Sequence, residues 1–105
     1  MGTNTGQLSQ AGNMAARANR GKADFSREMG LNLQRLCLER GLSQERLAHM
    51  AGISSYTYQK FEKGESKPGT PMNPRLFTLM ALAEVLQVRL TELVPEDWPD
   101  LTEGR

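Results

Sequence analysis

The chain has 105 residues with a net charge of +1, and 38% of them are hydrophobic, so it has room for one small core. Its one cysteine excludes an internal disulfide and a Cys-x-x-Cys metal pair, and the sequence contains no motif for a catalytic nucleophile, a phosphate loop or a metal cluster. No apolar run approaches the roughly 20 residues of a membrane helix, and the polar N-terminus lacks the apolar stretch of a signal peptide, so we expect a cytoplasmic protein that is not an enzyme and needs no cofactor.

Charge is distributed unevenly between the two ends of the chain. Residues 1–22 carry Arg17, Arg20 and Lys22 without an acidic residue, whereas residues 95–105 carry four acidic residues against one basic residue. Residues 1–22 are also rich in small and polar residues and show no apolar stripe, which predicts a disordered basic arm. The arm can supply a local positive field for a polyanion such as DNA, or it can be a solvated tail, and the sequence leaves both open.

Three helices are predicted between the arm and residue 64, each with a serine that can cap its first turn and a glycine that ends it. The serines and glycines are Ser26 and Gly41, Ser43 and Gly52, and Ser54 and Gly64. Apolar residues recur at spacings of three and four in the first two segments, which is the period of an amphipathic helix. We number these helices one, two and three.

A loop and a fourth helix are predicted after helix three. Residues 67–72 contain two prolines and a glycine, which indicates a loop. Asn73 can then cap helix four, with Pro74 in the first turn. Helix four is strongly apolar up to Leu86, so we expect it to lie at the centre of the core.

The last predicted helix is short and precedes a tail. Apolar residues between Val88 and Val94 indicate a fifth helix, which Pro95 ends. The acidic residues 95–105 are predicted to form a flexible tail. Because no segment alternates as a strand would, the predicted fold is all-α, with the folded domain at 23–94.

Helices two and three have the features of a helix-turn-helix over Gln44 to Glu62. A small residue, Ala48, stands where a larger side chain would collide with the neighbouring helix, and Gly52 stands in the turn, where a positive φ is needed. Apolar residues supply the contacts that fix the crossing of the two helices: Leu47, Ala51, Ile53, Tyr58 and Phe61. Because Tyr58 carries a polar group, we expect its hydroxyl to reach the surface.

Five short motifs between residues 29 and 94 match those of a known family. They are Gly41-Leu-Ser-Gln-Glu, Leu47-Ala, Ala51-Gly-Ile-Ser, Phe61-Glu-Lys-Gly and Leu82-Ala-Glu-Val-Leu. The region resembles the phage repressor and Cro helix-turn-helix family, also called the xenobiotic-response-element type. The resemblance implies a compact five-helix, lambda-repressor-like domain that regulates transcription in a bacterium or phage, usually as a dimer. Helix three, at about residues 55–62, would then enter the major groove of the nucleoid DNA.

The same resemblance implies which residues meet double-stranded DNA. The base-reading positions are Ser55, Tyr56 and Lys60, with Thr57 and Gln59 as auxiliaries. The phosphate positions are Gln44, Ser54, Lys63, Lys67 and Arg75. Lys60 can reach O6 and N7 of guanine, and Tyr56 can pack on a thymine methyl group or hydrogen-bond a phosphate. Without the resemblance, this cluster would be interpreted as an ordinary solvated face.

Two features depart from the family pattern. The family commonly has an arginine at the position of Cys37, paired with the acidic residue at the position of Glu62. That pair is absent here, so Glu62 is expected to pair with another base or to lie in solvent. Residues 67–72 also make the connection to helix four several residues longer than usual, as a tolerated surface insertion or as an additional backbone or partner contact.

These features together favour a DNA-binding transcriptional regulator, with a repressor as the preferred form. A dimer through helix five and the end of helix four is expected, because so short a chain cannot bury all its apolar residues. The alternative is an antitoxin or a protein-interaction module of the same fold, for which the acidic tail with Trp98 offers a surface.

Overall fold

A computed structural model describes residues 21–102, so the predictions for most of the basic arm, including Arg17 and Arg20, lie outside the described residues. The described part contains five helices and one hairpin. In chain order they are α1 Lys22–Glu39, α2 Gln44–Met50, α3 Ser55–Lys63, β1 Glu65–Lys67, β2 Thr70–Pro71, α4 Leu76–Leu86 and α5 Leu90–Leu93. The predicted five-helix, all-α class is confirmed, with a two-stranded sheet as a small addition.

The first helix begins earlier than the sequence predicted. The expected cap at Ser26 is wrong: α1 starts at Lys22 after Gly21, and Ser26 is buried inside the helix. Its hydroxyl donates a hydrogen bond of 2.8 Å to the carbonyl oxygen of Met72, so this side chain joins two distant segments. Lys22, which the sequence placed in the arm, is the first residue of α1.

The caps of the next two helices are those that the sequence predicted. The hydroxyl oxygen of Ser43 accepts a hydrogen bond of 3.0 Å from the backbone N–H of Arg46. The hydroxyl oxygen of Ser54 accepts one of 3.0 Å from the backbone N–H of Thr57. Gly52 has a φ of 79°, which a glycine adopts without steric cost. These local signals fix the turn between α2 and α3.

The predicted loop at 67–72 forms the turn and second strand of a β-hairpin that begins at Glu65. Strands β1 and β2 pair antiparallel around Pro68 and Gly69, and they are too short to show the alternation of a longer strand. The backbone N–H of Met72 donates to the carbonyl oxygen of Gly64 at 2.8 Å, which closes the base of the hairpin. Together with the bond from Ser26, this contact pins the hairpin to α1.

Helix α4 differs from its prediction in two ways. Its cap is Arg75 and not Asn73, because the chain stays extended through Arg75, which has a ψ of 149°. Only its second half lies in the core: the start of the helix exposes Leu76, Phe77 and Met80. The expectation of a fully central helix is therefore wrong for this half.

The core lies where α1, α2, α3 and α5 meet the second half of α4. Its largest fully buried side chains are Tyr58, Leu33, Leu47, Leu82, Leu86 and Leu93. Helix α5 lacks a capping serine, and the carboxylate of Glu92 accepts a hydrogen bond from the backbone N–H of Arg89 at 3.1 Å instead. Beyond α5, Pro95 and Pro99 are buried. None of the helices within 21–102 has the length and apolar character that crossing a membrane requires.

Candidate nucleic-acid interface

Helix α3 has one buried and one accessible face. Tyr58 and Phe61 are buried in the core, which anchors the helix against α1 and α2. The other positions of the helix remain available to a ligand: Tyr56, Gln59 and Lys63 are exposed, and Ser55, Thr57 and Lys60 are partly exposed. The predicted base-reading residues therefore share the accessible side of one rigid element.

Two of these residues hold each other in place. The ammonium of Lys60 lies 4.4 Å from the ring centroid of Tyr56, which is a cation–π geometry. The Tyr56 side chain is 68% exposed, so the pair stands on the surface of the helix. The contact favours this orientation of the Lys60 side chain.

A groove of about 470 Å³ runs between α3 and the hairpin. It brings together six of the predicted contact residues: Gln44, Tyr56, Gln59, Lys60, Lys63 and Lys67. Ser54, Ser55 and Thr57 lie at the start of α3 outside the groove, and Arg75 lies at the start of α4. Lys22 faces a different depression, beside Met72.

The groove also includes Gln34, a residue that no sequence motif indicates. Its Nε2 donates a hydrogen bond of 3.2 Å to the backbone carbonyl of Glu62. Gln34 lies on the exposed, polar face of α1. Its polar side chain was the only indication in the sequence that it could line a site. Which element this polar face meets depends on the tertiary packing.

Glu62 has a partner that neither alternative anticipated. Its Oε1 accepts a hydrogen bond of 2.7 Å from Nε2 of Gln44, so the carboxylate pairs with a neutral amide and not with a base or solvent alone. Gln44 is the first residue of α2, and Glu62 lies near the end of α3. The bond thus ties the two helices of the helix-turn-helix together at the edge of the groove.

Cys37, which lies beside this pair, is part of the core. The thiol is buried and donates a hydrogen bond of 3.1 Å to the carbonyl oxygen of Leu42. Burial raises the pKa of the Cys37 thiol, and the negative charge of Glu62 raises it further. The protonated thiol is therefore favoured at neutral pH.

The prediction that the Tyr58 hydroxyl reaches the surface is wrong. Tyr58 is fully buried, and its hydroxyl, which lies beside Glu62 and Cys37, makes no hydrogen bond of standard geometry within residues 21–102. Burial raises the pKa of this hydroxyl far above its usual value, and Glu62 adds to the effect. A buried polar atom without a partner is a cost to stability.

Replacing Tyr58 with phenylalanine is expected to raise the free energy of unfolding by about 1 kcal/mol at pH 7, because the ring is kept and the unpaired hydroxyl is removed. The pKa of the hydroxyl is raised in the folded state, so wild-type stability should fall as the pH rises above about 10, where the unfolded tyrosine ionises. The variant should lose less stability there. Urea unfolding at pH 7 and at a pH above about 10 measures both effects, with the exposed Tyr56→Phe as the control. If Tyr58→Phe is less stable than the wild type at pH 7, the hydroxyl forms a hydrogen bond that the variant has lost.

Comparison with known proteins agrees with this geometry. A family model described as helix-turn-helix matches residues 33–93, which include α2 and α3. An uncharacterized HTH-type transcriptional regulator of Sinorhizobium fredii, y4dJ, is 35% identical over 71 residues, which cover 68% of this chain and 84% of that protein.

Proposed function

The chain belongs to the Cro/C1-type helix-turn-helix family and is a DNA-binding transcriptional regulator, and we propose that it acts as a repressor by inserting α3 into the major groove. The observation that carries the proposal is the accessible polar face of α3, opposite its buried anchors Tyr58 and Phe61. A regulator of this kind acts on the nucleoid in the cytoplasm. Occupancy of a promoter would exclude the polymerase.

Sequence is read, in this proposal, by the first turns of α3. Ser55, Tyr56 and Lys60 contact base edges, with Thr57 and Gln59 as auxiliary contacts. The amino group of Lys60 suits O6 and N7 of guanine, and the ring of Tyr56 suits a thymine methyl group.

Phosphates are held by residues around this helix: Gln44, Ser54, Lys63, Lys67 and Arg75. Gln44 uses one amide N–H for Glu62 and keeps the second for a phosphate. Lys67 stands on a hairpin whose base is pinned to α1, so its position relative to α3 is fixed, which favours a backbone contact over a merely tolerated insertion.

Replacing Lys67 with alanine is expected to weaken binding about equally on all DNA sequences, because a phosphate contact carries no sequence information. The slope of log K against log salt should fall in magnitude by about 1. Titrations between low and high salt measure the slope. Arg89→Ala, outside the groove, is the control, and an unchanged slope for Lys67→Ala would remove Lys67 from the interface.

The arm at 1–22 is proposed as an additional phosphate contact, through Arg17, Arg20 and Lys22, beside the domain at 23–94 and the acidic tail at 95–105. Removing residues 1–20 leaves α1 intact and should weaken binding and flatten the salt dependence. Unchanged binding would identify the arm as a solvated tail.

A homodimer through α5 is proposed, because Leu90, Val94 and Trp98 line a cleft beside this helix. The expected contribution from the end of α4 is not part of this proposal, because its apolar residues Ala83 and Leu86 are buried in the core. Two α3 helices about 34 Å apart would then read a palindrome. Sedimentation of the protein with and without DNA tests this, and a monomer in both samples would contradict it.

Selection of bound duplexes from a random DNA pool tests the function as a whole. The expected result is a palindromic consensus whose binding weakens steeply with salt. Enrichment of no sequence would contradict the proposal.

A partner-binding role is the second candidate, since Leu76, Phe77 and Met80 form an exposed apolar cluster at the start of α4. Such a cluster is typical of a protein contact site, as in an antitoxin that binds its toxin. Phe77→Ser should abolish the capture of such a partner and leave DNA binding unchanged.

A further inference from the structure

The groove beside α3 contains a row of three polar side chains from two helices. Glu62 and Gln44 form the 2.7 Å hydrogen bond described above. On the other side of Gln44, its Oε1 lies 3.5 Å from Nε2 of Gln59, which is a long contact. Gln59 is exposed on α3 and lines the groove with Tyr56 and Lys60.

The chemistry of Glu62 fixes the direction of this row. A carboxylate accepts hydrogen bonds and donates none, so Gln44 must turn its NH₂ group toward Glu62. The carbonyl oxygen of Gln44 therefore faces Gln59. Because this oxygen only accepts, Gln59 must turn its own NH₂ group toward it, which directs the free Oε1 and the second N–H away from Gln44.

We propose that Gln59 reads an adenine, and that Glu62 acts through Gln44 as the positioning residue that sets which end of the Gln59 amide meets each atom of the base. One N–H of Gln59 donates to N7 of the adenine, and its Oε1 accepts from the N6 amino group. The inference rests on the proposed insertion of α3 into the major groove. It assigns to Gln59 a leading role in specificity and to Glu62 an effect on recognition without contact with DNA.

Substitutions at position 62 change whether its side chain accepts hydrogen bonds from Gln44 or donates hydrogen bonds to it. Glutamate only accepts, glutamine does both, and lysine only donates. In Glu62→Gln both directions of the Gln44 amide are allowed, so about half of the molecules present Gln59 correctly and adenine binding should weaken about twofold. In Glu62→Lys the direction is reversed, and Gln59 presents mainly N–H groups, which match the two acceptors of guanine.

The experiment measures relative affinities for duplexes that carry each of the four bases at every position of the site selected by the wild-type protein. At the base pair that Gln59 contacts, the preference for adenine should be largest in the wild type, smaller in Glu62→Gln and smallest in Glu62→Lys. Glu62→Lys should prefer guanine at this position. Gln59→Ala should lose that preference, by roughly fivefold to 150-fold. With alanine at 59, the residue at 62 should have no effect on the ratio.

The ratio of affinities for two duplexes is measured on the same protein, so a change in its stability or net charge affects both affinities alike and leaves the ratio unchanged. Glu84→Gln changes the net charge by the same amount as Glu62→Gln but lies exposed on α4, outside the groove, so its preference should equal that of the wild type. If Glu62→Lys does not fold, Glu62→Gln and the double variant with alanine at 59 still decide the question.

Two results would overturn the inference alone. One is an adenine preference that is equal for glutamate and glutamine at position 62, and the other is a Gln59→Ala variant that keeps the wild-type preference. A wild-type protein that selects no sequence at all would overturn the proposed function together with the inference.

Discussion

Replacing Gly30 with alanine is expected to lower the free energy of unfolding by about 3 kcal/mol or more. Gly30 is buried in the middle of α1, where that helix crosses the end of α3. A Cβ atom here would lie 2.7 Å from the carbonyl oxygen of Phe61 and 2.8 Å from the carbonyl carbon of Glu62. Both are backbone atoms, so relief requires a shift of α3 as a whole. For a small domain, which is typically stable by about 5–15 kcal/mol, this is a large loss.

Urea or thermal unfolding followed by circular dichroism measures the effect. Glycine to alanine in an exposed helix stabilises by roughly 1 kcal/mol, so an increase in stability for Gly30→Ala would show that α1 and α3 are not in close contact. Gly21→Ala is the matched control, because the nearest atom to its Cβ is 3.9 Å away. Its stability should change by less than about 1 kcal/mol, the scale of a cap substitution.

Features that depend on neighbouring residues could be predicted from the sequence. The serines at 43 and 54 bond to backbone groups within the next turn, so the residues that follow them are enough to identify a cap. The alternation of buried and accessible positions along α3 follows from the helical period and placed Tyr58 and Phe61 in the core.

Features decided by distant contacts could not be predicted. Ser26 has the sequence signature of a cap, but its partner is Met72, 46 residues away. Asn73 likewise has the signature of a cap, but the backbone stays extended after the hairpin as far as Arg75, and α4 begins at Leu76. Local preference gives the number of helices here, but not the residues at which α1 and α4 begin.

The candidate site also contains residues that the sequence could predict and contacts that it could not. The family pattern identifies Tyr56 and Lys60 by position alone, and α3 does present both on its accessible face. The pair of Gln44 and Glu62 could not be predicted, because the arginine that the acidic residue commonly pairs with is replaced by Cys37. In the absence of this arginine, the Glu62 carboxylate accepts a hydrogen bond from the side-chain amide of Gln44 on α2. The packing of α2 against α3 brings these two side chains together.

Replacing Lys60 with alanine is expected to weaken binding to the selected site by about 1–3 kcal/mol and to relax the preference at one base pair, where the expected base is guanine. The loss is specific to one base pair because the ammonium donates to O6 and N7 of guanine, which the other bases do not present together. The contact with the Tyr56 ring, at 4.4 Å, lowers the ordering cost of this interaction. Competition between duplexes that differ at single positions measures both effects. An equal loss on every sequence would identify Lys60 as a phosphate contact.

Variants of Tyr56 separate the placement of Lys60 from the contacts of the tyrosine itself. Tyr56→Phe keeps the aromatic face and so keeps Lys60 in place, and its guanine preference should match that of the wild type. Tyr56→Ala removes the face, so the guanine preference should fall although Lys60 is still present. If Tyr56→Phe weakens binding on all sequences alike, the hydroxyl contacts a phosphate. A guanine preference that survives in Tyr56→Ala would show that Lys60 reads its base without help from the ring.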